Sequence, residues 1–363
     1  MTILVVLFWA SLAALVWTHA GYPVFAAAWA AVAPRRIRLG DGTPTVTVII
    51  AAHNEESVIE RRIANLRALD YPSELLEIVV SSDASDDRTD ALAAASGVRV
   101  IRNARGGKVA AQDRAVRETS SEIVAFSDAN ASWEPGALRE LVRPFGDPAV
   151  AYVCGQLRLQ APDGSNREGL YWRYEMAVRS AESKLGSVTG GNGSIYALRR
   201  SDYVEVDPRF GHDLSLPYLM VQRGRRAVYQ PAALASEKPT PSNETEYRRK
   251  VRMFEHCWLI VLRGRMLRGL GPRYALQIVS HRFLRYSSGL LHLVLLATSI
   301  ALVTHGWIYA AVLAAQIALL LAGLAGVSIA RYYLLITLAT GVALVNYLRR
   351  GVPATWKVAE GTR

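Results

Sequence analysis

Cysteine is scarce. The 363-residue chain has two, Cys154 and Cys257, far apart in sequence. That excludes a disulfide scaffold and a cysteine-rich zinc site, and it fits a reducing compartment. Acidic residues are also in deficit: 31 Asp and Glu against 42 Lys and Arg, a net charge of +11. Such a balance suits an anionic membrane surface, a phosphate-bearing substrate or nucleic acid. The basic residues flank apolar runs rather than aromatic-interleaved loops, which argues against nucleic acid. No internal repeat or low-complexity tract stands out.

What the chain has in excess is apolar residues, 51% of the total, concentrated at its two ends. Residues 3–32 contain no Asp, Glu, Lys or Arg and are long enough to span a bilayer with tilt. A cleaved signal peptide is the alternative. No basic residue precedes the run, and Ala31-Val32-Ala33 is followed by Pro34, so a retained anchor is expected. Arg35, Arg36 and Arg38 follow at once, which places this end on the cytoplasmic side. Residues 290–303, 307–324 and 332–348 form three more apolar segments, each near the lower length limit for a span. Three spans would put the tail outside, yet it carries Arg349, Arg350, Lys357 and Arg363. One segment could therefore be interfacial or re-entrant.

Between these ends, strand and helix signals alternate. Apolar, β-branched runs at 46–51, 77–80, 98–101 and 123–126 read as strands, and 55–68, 86–96 and 108–118 as helices. This pattern predicts a mostly parallel sheet with helices on both faces. Further on, 150–153 and 227–229 read as strands, 170–185 as a helix and 190–193 as a glycine-rich loop. Residues 245–266 read as a basic helix, and 274–286 as a mixed segment suited to the interface plane.

The polar loops fall directly after the predicted strands, where open α/β sheets bind ligands. His53-Asn54-Glu55-Glu56 follows the first strand; Asn54 could simply cap the next helix. The loop at 81–89 is too acidic to cradle phosphate and lacks the glycines of a dinucleotide loop or P-loop. Its Asp83 could accept hydrogen bonds from a base or a ribose. Gly106-Gly107-Lys108 at a helix start suits a phosphate. Asp128-Ala129-Asn130 follows the fourth strand, and Asp128 could hold a divalent cation or cap the next helix.

Taken together these stretches resemble the family-2 glycosyltransferases, in the membrane-anchored bacterial branch of the cellulose, hyaluronan and poly-N-acetylglucosamine synthases. The matching pieces are residues 51–56, 82–89, 107–108, 126–130, 191–196, His212-Asp213 and 248–252, in the family's order. The resemblance implies the GT-A fold, an α/β domain with a mostly parallel sheet, and an inverting transfer from a UDP-sugar or similar donor. It implies donor contacts from Asn54, Glu55, Asp83, Lys108, Asp128 and Arg249. It places Mg²⁺ or Mn²⁺ at Asp128 and Asn130, the latter standing where the family has a second carboxylate. Asp213 matches the catalytic base, and Arg252 would stabilise the leaving diphosphate. Gly191, Asn192 and His212 fall on the acceptor side. His212 replaces an acid, and Met253 stands where processive synthases carry tryptophan.

The expected layout is an anchor over 1–33, a GT-A domain over 44–260, basic or interfacial helices over 261–288, transmembrane segments over 289–348 and a basic tail over 349–363. The expected protein is a multi-pass inner-membrane glycosyltransferase with its catalytic domain in the cytoplasm. Its partners would be a nucleotide sugar, membrane lipids and a glycan or lipid-linked acceptor, with the oligomeric state left open. A processive synthase that exports its polymer and a non-enzymatic membrane scaffold are the alternatives.

Overall fold

The computed structural model describes residues 1–159, 169–239 and 242–355. Lys357 and Arg363 of the basic tail lie outside the described residues. The chain divides into two compact units. One comprises Met1–Ala28, Ser242–Leu267 and Gly271–Val352; the other comprises Trp29–Pro241, Arg268–Leu270 and the residues from Pro353 onward.

The second unit is built on an eight-stranded sheet. Its strands are β1 Val46–Ala52, β2 Leu76–Asp83, β3 Arg99–Asn103, β4 Ile123–Ser127, β5 Ser132–Trp133, β6 Val150–Leu159, β7 Tyr196–Arg199 and β8 Arg226–Glu237. They lie in the order β3-β2-β1-β4-β7-β6-β8-β5. The first four are parallel, as the strand–helix alternation predicts. The other half is mixed: β7 runs antiparallel to β4 and β6, whereas β6 and β8 are parallel.

β1 is buried along its length because both faces are covered. Val46, Val48 and Ile50 join one core with Ile59, Ile63 and Leu66 of helix α3, Ile59–Arg67. Ile49 joins the opposite core with Ala115 and Val116 of α5, Lys108–Arg117. That is the period-two alternation of a doubly covered strand. The remaining helices of this unit are α4 Thr89–Ala95, α6 Ala137–Val142, α7 Leu170–Leu185 and α8 His212–Gln222.

Register aligns the carboxyl ends. Ala52 pairs with Ser82, Ile50 with Ser127, and Asp83 with Asn103. The loops after β1, β2, β3 and β4 therefore open at one edge. Two helices start later than their periodicity predicts. Asn54 takes a left-handed φ of 56°, which Asn tolerates and which delays α3. Asp87 Oδ1 accepts from Thr89 N at 2.9 Å, an Asx-type turn before α4.

The first unit is helical. It holds α1 Thr2–Val16, a π-helical turn Trp17–Gly21 and most of α2 Tyr22–Val32. It continues with α9 Asn243–Arg263, α10 Pro272–Ile278, a second π turn Val279–Phe283, α11 Leu284–Tyr286, α12 Ser288–Leu302, α13 Trp307–Leu324 and α14 Ser328–Arg350. Among the described residues, four helical stretches are long and apolar enough to cross a membrane: Thr2–Val32, Ser288–His305, Trp307–Leu324 and Ser328–Arg350. The two π turns meet. Trp17 Nε1 donates to Ser280 Oγ at 2.9 Å, and Thr18 Oγ1 to Ser280 O at 2.6 Å. Thr18 and Ser280 are buried, and such side-chain bonds satisfy polar groups that burial takes out of water.

The basic stretch that follows α2 is more than a topology signal. Arg226, buried on β8, donates to the carbonyls of Arg35, Arg36 and Gly186 at 3.0, 3.1 and 2.9 Å. Arg35 N donates to Lys184 O at 2.7 Å. The sheet thus grips this segment through one guanidinium. Arg226→Met should leave three carbonyls unmatched and cost on the order of 3 kcal/mol, read as a lower thermal midpoint of the purified chain.

Candidate active site

The sheet edge brings nine predicted positions of the second unit into contact with their neighbours. Lys108 opens α5, and its Nζ makes a short ion pair with Asp128 Oδ1; it lies 3.5 Å from Gly193 O. Ser194 Oγ donates to Glu237 Oε1 and also lies 3.3 Å from Asp128 Oδ2. A side chain at Gly193 would lie 3.2 Å from the lysine Nζ and 3.7 Å from Asp128 Oδ2. Glycine there keeps the cluster open. Burial alone would push the Lys108 ammonium down in pKa, but Asp128, Asp213 and Glu237 together outweigh it and hold it above its ordinary value. Lys108 therefore stays charged at neutral pH.

Asp213 sits in the first turn of α8, where the helix dipole favours a carboxylate. Its carbonyl accepts from Gly191 N at 2.6 Å, and the Gly191 carbonyl accepts from Arg179 Nη2 at 3.0 Å. The glycine loop and the base position are thereby tied together.

Several predicted positions are occupied with bracing. Asp83 is buried. Its Oδ1 accepts from Gly106 N at 2.7 Å and Gly107 N at 3.0 Å, and its Oδ2 makes a short pair with Arg105. Rather than standing open to a base, it fastens the lysine loop to the end of β2. Gly107 has φ 92°, and a Cβ there would strike the Ala354 carbonyl. Asn54 Nδ2 donates to Asp86 Oδ1 at 2.6 Å, and Asp86 N to Asn54 Oδ1 at 3.0 Å. Glu55 N donates to Thr89 Oγ1 at 2.7 Å. The loops after β1 and β2 thus hold each other. Asn192 is buried; it donates to Gly155 O at 2.6 Å and accepts from Ser194 N and Ile195 N at 3.2 and 3.0 Å. Its side chain shapes the loop instead of facing an acceptor.

His212 also points inward. Its ring is 3% exposed, with Phe126 edge-on at 5.8 Å. Nδ1 lies 3.2 Å from Tyr196 Oη, and Nε2 lies 3.3 Å from Tyr203 Oη and 3.4 Å from Asp113 Oδ1. Tyr203 donates to Asp113 Oδ1 at 2.5 Å. Burial, then Asp113, pushes the Tyr203 pKa far up, and burial with Asp213 does the same for Tyr196. Both phenols remain protonated donors. The sequence expectation of an acceptor-side His212 thus meets a buried ring that anchors the start of α8.

Arg249 and Arg252 belong to the other unit, on α9. Ser242 caps this helix by accepting from Thr245 N at 3.2 Å. Arg249 makes a two-pronged pair with Glu246 at 2.9 and 3.0 Å. Arg252 is half-buried, and burial followed by Arg249 lowers its pKa. Asn130 follows β4 in the second unit and is partly buried.

Sequence reasoning missed Glu237 and Arg62. Glu237 ends β8 as Asp128 follows β4, so the same signal was present: a carboxylate at the carboxyl end of a strand. Pro231 hid it, since proline argues against a continuous strand. The structure places Pro231 where the β6–β8 register shifts, between the pairs Cys154↔Tyr229 and Gln156↔Leu234.

The sheet with its polar carboxyl edge is the GT-A class of fold. The mannosyltransferase PcManGT from Pyrobaculum calidifontis has this fold: its structure, in complex with GDP-Man and Mn²⁺, superposes with a TM-score of 0.76 at 23% identity, covering 96% of this chain and 98% of that one. Residues 47–206 match the model of glycosyl transferase family 2. That stretch, under half of the chain, is thus similar to a family of enzymes that move a sugar from a nucleotide sugar. A beta-monoglucosyldiacylglycerol synthase of Synechocystis is 31% identical over 163 residues, 42% of this chain and 33% of that protein. An N-acetylglucosaminyltransferase of Sinorhizobium fredii is 28% identical over 296 residues, 71% of this chain and 70% of its own length.

Two outcomes test the bracing roles. Asp83→Ala should lower stability by about 1–3 kcal/mol besides weakening nucleotide binding, because the lysine loop loses its anchor. His212→Ala removes a buried ring and a partner of the buried Asp113. It should cost about 2–4 kcal/mol, seen as a depressed thermal midpoint. Unchanged midpoints would assign both side chains to ligand contact alone.

Proposed function

We propose that this chain is an inverting glycosyltransferase that works at a membrane surface, using a nucleoside-diphospho-sugar donor, most simply a UDP-sugar. The single observation that carries the reading is the cluster of Lys108, Asp128, Ser194 and Glu237, with Asp213 close enough to add to the pull on the lysine. In it a cation, carboxylates and a candidate base meet at the ligand edge of the sheet.

In this reading Asp213 takes the proton from an acceptor hydroxyl, and that oxygen attacks the anomeric carbon from the side opposite the diphosphate. Lys108 balances charge on the leaving diphosphate. Arg252 does the same in the proposal, as the family resemblance implies. The loop after β2, which follows Asp83, lies beside the nucleoside.

The donor set fits a divalent cation. Two carboxylates converge on one hydroxyl, and Asn130 adds an amide oxygen two residues from Asp128; hard cations take such oxygen ligands. Among the described residues no cluster of three His, Cys, Asp or Glu forms a self-contained metal cage, so the cation would be held jointly with the donor. Mg²⁺ or Mn²⁺ bound there would supply positive charge to the diphosphate oxygens. The Pyrobaculum calidifontis neighbour of the same fold is in complex with Mn²⁺.

The acceptor is proposed to be lipid-linked or a growing glycan. Four potential spans and the name of the lipid-glycosylating relative support it. A single transfer is favoured over polymer synthesis, because Met253, exposed on α9, offers no aromatic platform. Arg35, Arg36 and Arg38 support a cytoplasmic catalytic unit in an inner membrane.

Asp213→Asn keeps shape but cannot take a proton. It should lower kcat by about 10²–10⁴-fold while donor affinity stays within a few-fold; wild-type turnover would move the base elsewhere. Activity should also vanish in excess chelator and return with Mn²⁺ or Mg²⁺. Full activity in chelator would end the metal assignment. Screening UDP- and GDP-sugars for thermal stabilisation identifies the donor, and a ligand at about 100 times its Kd should add roughly 2.7 kcal/mol.

A further inference from the structure

Arg62 on α3 has no part in the chemistry above, yet its side chain is buried with 1% exposure. An interior guanidinium is costly unless its donors are matched. Here Nη1 bonds Asn65 Oδ1, while Nε and Nη2 have no hydrogen-bond partner among the described residues. Burial pushes its pKa down to about 9, against the pull of Asp128 and Glu237. The group is still a cation at neutral pH, and the charges it answers are those two carboxylates.

A continuous set of contacts links it to them. The guanidinium lies over the Trp133 ring, 4.9 Å from the centroid. Asn65 fixes the Trp133 backbone, accepting from its N–H at 2.9 Å and donating to its carbonyl at 3.0 Å. Trp133 Nε1 donates to Ser194 O at 2.9 Å. Ser194 Oγ in turn donates to Glu237 and also lies 3.3 Å from Asp128 Oδ2, within reach of the same hydroxyl. Two carboxylates on one hydroxyl repel each other in a low-dielectric setting. A fixed positive charge behind them offsets that repulsion without occupying the oxygens that face a ligand.

We propose that Arg62 is a positioning residue: a buried counter-charge that lets Asp128 and Glu237 converge on Ser194 and sets the net charge presented to the donor diphosphate. This rests on the reading that the cluster receives a nucleoside diphosphate and a cation. An apolar side chain would serve packing under Trp133 alone; the guanidinium instead puts a charge at the head of the contacts that lead through Trp133 and Ser194 to the two carboxylates.

The test exploits sign. In the full-length chain, Arg62→Gln makes the site one unit more negative. Metal-free affinity for UDP and GDP should fall about tenfold, while Mn²⁺ affinity without nucleotide should rise several-fold. Arg62→Lys should restore both. Trp133→Phe keeps the charge but loses the indole donor, and should not produce opposite shifts. Arg62→Met is the second neutral variant should the glutamine fail to fold. Parallel loss of both affinities, no change in either, or the same opposite shifts in Trp133→Phe would overturn the proposal. So would folding by Arg62→Lys and by neither neutral variant, which would make the charge a requirement of the fold only. A wild-type chain that binds neither UDP, GDP nor Mn²⁺ would remove the site reading itself, and the proposal with it.

Discussion

The pair between Lys108 and Asp128 is the contact on which the site depends, because its two members come from separate loops. Lys108 begins the helix after β3, and Asp128 follows β4, with β1 and β2 lying between those strands in the sheet. Only a parallel register that ends all four strands at one edge can bring them together. The pair is thus a readout of the whole sheet: slip any strand by one residue and its side chains change faces. Around the pair, charges of both signs are held in part-buried surroundings. There each attraction is worth several times its value in water, and each unmatched charge costs correspondingly more.

Many of the polar side chains one would assign to ligands are instead spent on holding loops. Asp83, Asn54, Asn192 and His212 each use their side chains on neighbouring backbone or buried groups. This is a physical necessity. A loop at a sheet edge has backbone N–H and C=O groups without ladder partners, and a binding loop that wandered by an ångström would lose its function. Gly193 and Lys108 can face the open side because Asp83 and Asn192 stand behind them.

The parallel half of the sheet was legible in the sequence, since four β-branched runs alternate with helical periods and each is followed by a polar loop. The four apolar stretches were legible for the same reason. The antiparallel half was not. β7 is four residues long and β5 two, too short to show a period, and Pro231 masked the second half of β8. In the site, residue types announced Lys108, Asp128 and Asp213, because charges at strand ends and helix starts carry their own signal. Arg62 carried none. It sits among Arg61 and Arg67 on a helix whose surface is charged, and nothing local distinguishes an arginine that turns inward. Its direction is set by Trp133, far away in sequence. His212 invited an acceptor role by standing beside Asp213, but Phe126, Tyr196 and Tyr203 converge on it only in three dimensions.

The two departures from the family pattern have a common physical resolution. Position 130 is an amide where the family has a carboxylate, and position 212 is an imidazole where it has an acid. Beside Asp128 and beside His212, a carboxylate arrives from another element. Glu237 reaches Ser194 from the end of β8, and Asp113 reaches the His212 ring from α5. The negative charge near the donor edge is relocated along the fold instead of lost, and each relocated acid is met by a group that limits its cost: Arg62 behind Glu237, the Tyr203 hydroxyl and His212 around Asp113. For stability alone the whole arrangement is dispensable, since replacing a buried set of charges together by well-packed apolar side chains is often neutral or stabilising. That costly charge arrangement is a physical argument in favour of the proposed charged ligand.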